Sequence, residues 1–212
     1  MRQLFAISLF FAVAWINVGA GLIVRADDAS TGSIKGDITA NGVKSPEDVV
    51  VYLETVPGEQ KPPADPVVMD QKKLTFLPRV LPIVKGTTVK FQNGDPLLHN
   101  VFWNRSDDGT YTATNLGTWG QGSTKTFKFD KLGYVGLLCN IHPEMEGYIV
   151  VLQNPFFVVV GKDGAFEIKN VPPGKYTVKT WYSKPKKLRS KSAPVAVEAG
   201  KAAKLDFTLG KS

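Results

Sequence analysis

Apolar and polar residues alternate along most of this chain with a period of two. The alternating runs are short and are broken by Gly, Pro and Asn about every ten residues, while helical periodicity is almost absent. The pattern predicts an all-β protein. Residues 34–38 and 49–53 read as two strands joined through the turn-forming Asn41-Gly42. The proline-rich piece 57–66, with Pro62-Pro63 at its middle, reads as a stiff spacer and a first domain boundary.

Beyond the spacer, apolar runs at 74–77 and 80–84 lead into Val89 and Phe91 alternating with Lys90 and Gln92. Phe127 and Phe129 flank Lys128, and Val135, Leu137 and Cys139 share one face. The run 148–152 is nearly all apolar, which predicts a strand covered on both sides. Residues 66–153 are enough to form a small sandwich of their own. A second boundary falls at Asn154-Pro155. After it, Gly161-Lys162-Asp163-Gly164 predicts a hairpin turn, Phe166 and Ile168 alternate with Glu167, and strands are expected at 176–181, 195–198 and 205–209.

The N-terminus departs from this pattern. Arg2 precedes an apolar run from 4 to 24, and Val24-Arg25-Ala26 comes before Asp27-Asp28. This predicts a signal peptide, residues 1–26, cleaved after Ala26, and an exported or periplasmic protein; an uncleaved membrane anchor is the other reading of the same run. Removing Arg2 and Arg25 lowers the formal charge from +7 to +5, with 24 Lys and Arg against 19 Asp and Glu. A mildly basic exported protein is not expected to meet nucleic acid. Its charge favours an acidic redox protein, and an anionic membrane surface is the other compatible partner.

Chemistry concentrates in one stretch. Cys139-Asn140-Ile141-His142-Pro143-Glu144-Met145 holds the only cysteine, one of two histidines and one of three methionines, and the other histidine, His99, is followed by Asn100. One cysteine cannot form an intramolecular disulfide, and a lone thiol in an oxidising compartment is protected when a metal occupies it. A thiolate, two imidazoles and a weak thioether are the donor set of a blue-copper site. Zinc also accepts His2Cys ligation, but a thioether is a poor zinc ligand. No nucleophile and base pair is legible, so no enzyme activity is expected.

His99-Asn100 followed by Cys-x-x-His-x-x-Met, with Pro143 after the second histidine, resembles the cupredoxins of the plastocyanin/azurin family and, in its spacing, an amicyanin-like short ligand loop. The resemblance implies one type 1 copper per chain, with His99, Cys139 and His142 as equatorial ligands and Met145 as the axial one. It implies that Asn100 hydrogen-bonds across to the ligand loop and sends its backbone amide to the cysteine sulfur. Separately, Gly-x-Phe-x-Ile-x-x-Val-Pro-Pro-Gly-x-Tyr-x-Val at 164–178, with Gly32-Ser33-Ile34-Lys35-Gly36, resembles the transthyretin-like regulatory sandwich found beside carboxypeptidases. These two matches flank the copper segment. They imply a discontinuous domain, 27–58 plus 156–212, with a cupredoxin Greek-key sandwich, 66–153, inserted in it, as in exported methylamine-utilisation-type proteins; two consecutive domains are the rival arrangement.

The expected function is single-electron transport between redox protein partners. A copper-delivery module, and a partner-binding sandwich with incidental copper, are the other classes. Leu97, Leu98 and Pro143 are expected to form an apolar rim near His142. Lys184, Lys186, Lys187, Arg189 and Lys191 read as a solvated loop, the tryptophans and Tyr148 as core, and Asn104-Arg105-Ser106 as a glycosylation pattern. Where Arg79 stands, some related sequences carry a histidine, so no third imidazole is expected.

Overall fold

The structure is a computed structural model that describes residues 30–107, 110–184 and 186–211. The expected signal peptide and its cleavage point lie outside the described residues. No helix among the described residues is long and apolar enough to cross a membrane. In chain order the strands are β1 (Gly32–Ala40), β2 (Val50–Leu53), β3 (Val67–Gln71), β4 (Phe76–Leu77), β5 (Val80–Val84), β6 (Thr87–Asn93), β7 (His99–Asp107), β8 (Thr110–Trp119), β9 (Thr124–Phe129), β10 (Gly133–Leu138) and β11 (Glu146–Leu152). They continue as β12 (Phe157–Val159), β13 (Ala165–Val171), β14 (Gly174–Trp181), β15 (Ser192–Val197), β16 (Ala202–Lys204) and β17 (Phe207–Leu209).

Two pairs of sheets result. A five-stranded sheet, β5-β11-β10-β7-β8, faces the sheet β4-β3-β6-β9 across a core that includes Met69, Phe76, Phe91, Val101, Trp103, Leu137 and Ile149. The other pair joins strands from both ends of the chain. β1 pairs antiparallel with β13 and parallel with β16 and β17, while β2 lies between β12 and β14, with β15 beyond. Ile34, Val51, Leu53, Val178, Leu188 and Leu209 are in its core.

β6 shows how the alternation works. Thr87, Val89, Phe91 and Asn93 are buried, and the residues between them are half-exposed, as one covered face requires. β11 is different because both faces are covered. Ile149 and Val151 point into the first core, while Tyr148, Val150 and Leu152 pack with Val50, Val80, Tyr52, Phe157 and Trp181 of the junction between the sheet pairs.

Three sequence expectations change. Asn41-Gly42 lies in the connection from β1 to β2 as expected, and that connection passes between two different sheets. The turn at 161–164 likewise carries the chain from one sheet to the other, from β12 to β13. The run 74–77 shortens to β4, because Lys73 and Leu74 take left-handed conformations with φ of 55° and 56°. The strand expected at 205–209 is split: Leu205 and Asp206 interrupt the ladder, and Asp206 Oδ1 accepts the Asp37 amide at 3.0 Å. The hairpin of β7 and β8 was not predicted at all. Trp103 and Trp119 are buried as expected, and Trp181 is half-buried.

Candidate metal centre

Three of the singled-out side chains meet at one end of the first sheet pair. His99 opens β7, where it shares the buried face with Val101 and Trp103. Cys139 follows β10, and His142 lies in the short loop that leads to β11. The donor atoms of His99, Cys139 and His142 all lie within 4.8 Å of one another. The two Nδ1 atoms face each other at 3.1 Å, and the Cys139 Sγ is 3.9 Å from the His142 Nδ1. His99 is fully buried, Cys139 is 2% exposed and His142 is half-buried. Met145 is also fully buried, and its amide donates to the His142 carbonyl at 3.0 Å, which closes the loop into a turn.

Asn100 ties this loop to the sheet. Its amide points at the Cys139 Sγ at 3.4 Å, and its Oδ1 accepts the Asn140 amide at 3.3 Å. Its Nδ2 donates to the Asn115 Oδ1 and to the Gly117 carbonyl, each at 2.8 Å. The second acceptor is available because β8 takes one residue more than β7 between the pairs Asn100↔Thr118 and Phe102↔Asn115, and Gly117 absorbs it at φ 82°. Such irregularities commonly re-aim groups next to functional sites.

Asp95 is the residue that sequence reasoning missed. Its Oδ2 is 2.9 Å from the His99 Nε2, so that nitrogen is engaged and Nδ1 is left to face Cys139 and His142. The carboxylate also accepts the amides of Lys73 at 2.7 Å and Leu74 at 3.0 Å, a concave anion seat made by the two left-handed residues. Burial pushes the Asp95 carboxyl up, yet the Leu74 and Lys73 amides and His99 outweigh it and hold the group below the usual carboxylate range. Asn93 fixes the same loop: its Oδ1 accepts the Asp95 amide, and its Nδ2 donates to the carbonyls of Leu97 and Trp119. The only sequence signal for Asp95 was Asn-Gly-Asp-Pro, which reads as a turn.

Leu97 and Leu98 are 46% and 58% exposed, and Ile141 is 43% exposed. His142 is half-buried, and Pro143, next to it in sequence, is exposed. Gly147, just after the loop, allows a close approach: a Cβ there would lie 2.7 Å from the Phe76 Cβ of the opposite sheet. In the other sheet pair Leu188 is fully buried and anchors the basic loop 184–191, whose lysines are exposed.

The donor chemistry fits copper. Two imidazole nitrogens and one sulfur converge from a buried scaffold, which is a soft and borderline donor set. Residues 64–152 match the family model described as copper binding proteins, plastocyanin/azurin family. Amicyanin of Paracoccus versutus is 28% identical over 114 residues, 54% of this chain and 86% of that protein. Among solved structures, the Cu(I) form of an amicyanin mutant is 26% identical with a TM-score of 0.38, over 46% of this chain and 96% of that one. The copper-containing nitrite reductase of Thermus scotoductus SA-01 is 28% identical with a TM-score of 0.37, over 46% of this chain and 25% of that one. The family match thus falls on the segment that carries His99, Cys139 and His142, and this group resembles a type 1 copper site.

Proposed function

We propose that this chain is an exported type 1 copper protein that carries single electrons between redox protein partners and is not an enzyme. His99 Nδ1, Cys139 Sγ and His142 Nδ1 would hold the copper, with the Met145 thioether as a weaker fourth ligand. The observation that carries the reading is the convergence of the two Nδ1 atoms and the sulfur within 4.8 Å on residues held by a buried network. Bound copper would supply a one-electron couple and deprotonate the thiol.

The rest is the work of the chain. Asp95 orients His99, and Asn100 holds the 139–142 loop, so little rearrangement is left for a change of oxidation state. His142 is the ligand nearest solvent, and Leu97, Leu98, Ile141 and Pro143 give it an apolar rim suited to brief encounters. Residues 66–153 form the inserted cupredoxin domain, and 27–58 plus 156–212 form a discontinuous regulatory-like sandwich of the transthyretin type. Pairing of β1 with β13, β16 and β17 across the insertion supports that division.

Buried ligands separate a carrier from a copper-delivery module, which hands over metal through exposed donors. Stopped-flow mixing of the copper-loaded, oxidised chain with a reduced c-type cytochrome tests the point. Rapid oxidation of the cytochrome with copper retained by the chain is expected. Transfer of copper to a chelator-bearing acceptor, without electron exchange, would overturn the reading.

A further inference from the structure

Arg79 stands between β4 and β5 where the two sheet pairs meet. Its Nη1 donates to the Asp48 Oδ2 at 2.8 Å, in the loop between β1 and β2. Its Nη2 donates to the Glu146 Oε2 at 3.0 Å, and Glu146 is the residue immediately after Met145. The other oxygen of that carboxylate, Oε1, accepts the Tyr148 hydroxyl at 2.5 Å. The guanidinium carbon lies 5.3 Å from the centre of the Tyr148 ring, and the Arg79 carbonyl accepts the Tyr148 amide at 2.8 Å.

An exposed ion pair contributes little, because two flexible side chains must be held in place against water. This group differs in three respects. Arg79, Asp48 and Glu146 side chains are only 29%, 24% and 38% exposed. One planar guanidinium restrains two carboxylates at once and lies against an aromatic ring, so each contact fixes the geometry of the next. The Tyr148 ring that meets the guanidinium is itself held in a buried apolar cluster with Val50, Val80 and Val150. Asp48 is itself fixed: its φ is 71°, and its amide donates to the Val160 carbonyl at 3.1 Å. The chain of contacts therefore runs without a gap from the sheets built of both chain ends to the residue that follows Met145.

We propose that Asp48 and Arg79 are positioning residues for the ligand loop: through Glu146, the flanking sheets set where Met145 stands. The inference deepens the copper reading and rests on it for the role of Met145. It gives the flanking sheets a part in the site although they contribute none of its ligands. It also assigns a task to Arg79, where the sequence leaves no third imidazole.

The test uses Asp48→Asn, because Asn accepts a left-handed backbone and keeps the shape while removing the charge. Arg79→Lys is the graded companion, since an ammonium retains the charge but not the fork. Hydrogen exchange of the metal-free full chain is measured first. Asp48→Asn should speed exchange at Met145, Gly147 and Tyr148 about tenfold, while the amides of Phe166 and Ile168 keep the wild-type rate. Arg79→Lys should fall between wild type and Asp48→Asn. In the copper-loaded form the ratio of the two Cu(II)–thiolate bands and the midpoint potential should shift in the same order. Uniform acceleration along the chain with an unchanged band ratio would overturn the proposal, because the network would then be general adhesive between the sheets. If the wild type shows no thiolate bands, the copper reading fails, and the exchange pattern still decides whether the loop is positioned by Asp48 and Arg79.

Discussion

The two sheet pairs share an architecture and differ in what they bury. The flanking pair encloses an almost wholly apolar core: Ile34, Val51, Leu53, Val178, Leu188 and Leu209 are each at most 1% exposed. The other pair also has such a core, but Gln71, Thr87, Asn93, Asp95, His99 and Asn100 are buried beside it. A buried polar group costs free energy unless it is hydrogen-bonded. Asn93, Asp95, His99 and Asn100 are bonded to one another's loops, and together they hold the ends of β6, β7 and β10 in one arrangement. The contrast separates residues that fold the protein from residues that aim a site. Loss of the first should cost stability and leave the site alone, and loss of the second should do the reverse.

The sharpest break between the two regions is Cys139→Ser, which should abolish Cu(II)–thiolate absorption altogether while the flanking core remains folded; near-ultraviolet circular dichroism of the metal-free variant reads the second half. Next in size, Leu188→Ala should lower unfolding free energy by about 2–5 kcal/mol, as deletion of a fully buried leucine does, with the visible spectrum of the loaded protein unchanged. Denaturant titration measures this. A smaller effect is expected from Asp95→Asn, which leaves the shape of the His99 partner but not its charge. Copper affinity, read by competition with a chelator, should weaken about 10- to 100-fold.

The smallest effect concerns the junction. Burial, then the Glu146 hydrogen bond and charge, push the Tyr148 hydroxyl from 10.0 up to about 12. A raised value in the folded state means that stability is complete below about pH 10, where both states are protonated. It is lost as pH climbs from there toward 12, because the unfolded chain ionises first. Tyr148→Phe should remove this part of the alkaline slope, and an unchanged slope would show that the junction does not restrain the tyrosine.

The strand pattern was readable where one face is covered, as along β6, and where both are, as along β11. Pairing was not readable. Asn41-Gly42 and the turn at 161–164 have hairpin composition, yet each joins strands of different sheets, because the choice depends on partners far away in sequence. The hairpin of β7 and β8 escaped notice because β8 is an edge strand with exposed residues on both faces, so Thr112, Ala113 and Asn115 show no alternation. At the site, His99, Cys139 and His142 stood out because their residue types are scarce, and the structure brings them together. The contacts expected of Asn100 are present in both parts. Asp95 was hidden because its seat is made by backbone amides of Lys73 and Leu74, whose left-handed turn has no side-chain signature in a run that reads as a strand. Arg79 was read only as a missing histidine. Its two carboxylate partners lie 31 and 67 residues away in sequence.

The central claim is that His99, Cys139, His142 and Met145 hold one type 1 copper. The visible and EPR spectrum of the protein loaded with one equivalent of Cu(II) tests it most directly. An intense thiolate-to-copper absorption with a narrow copper hyperfine splitting, both absent from Cys139→Ser, is the predicted result. A fully oxidised, copper-bound protein that stays colourless, or a Cys139→Ser variant that keeps the absorption, would contradict it.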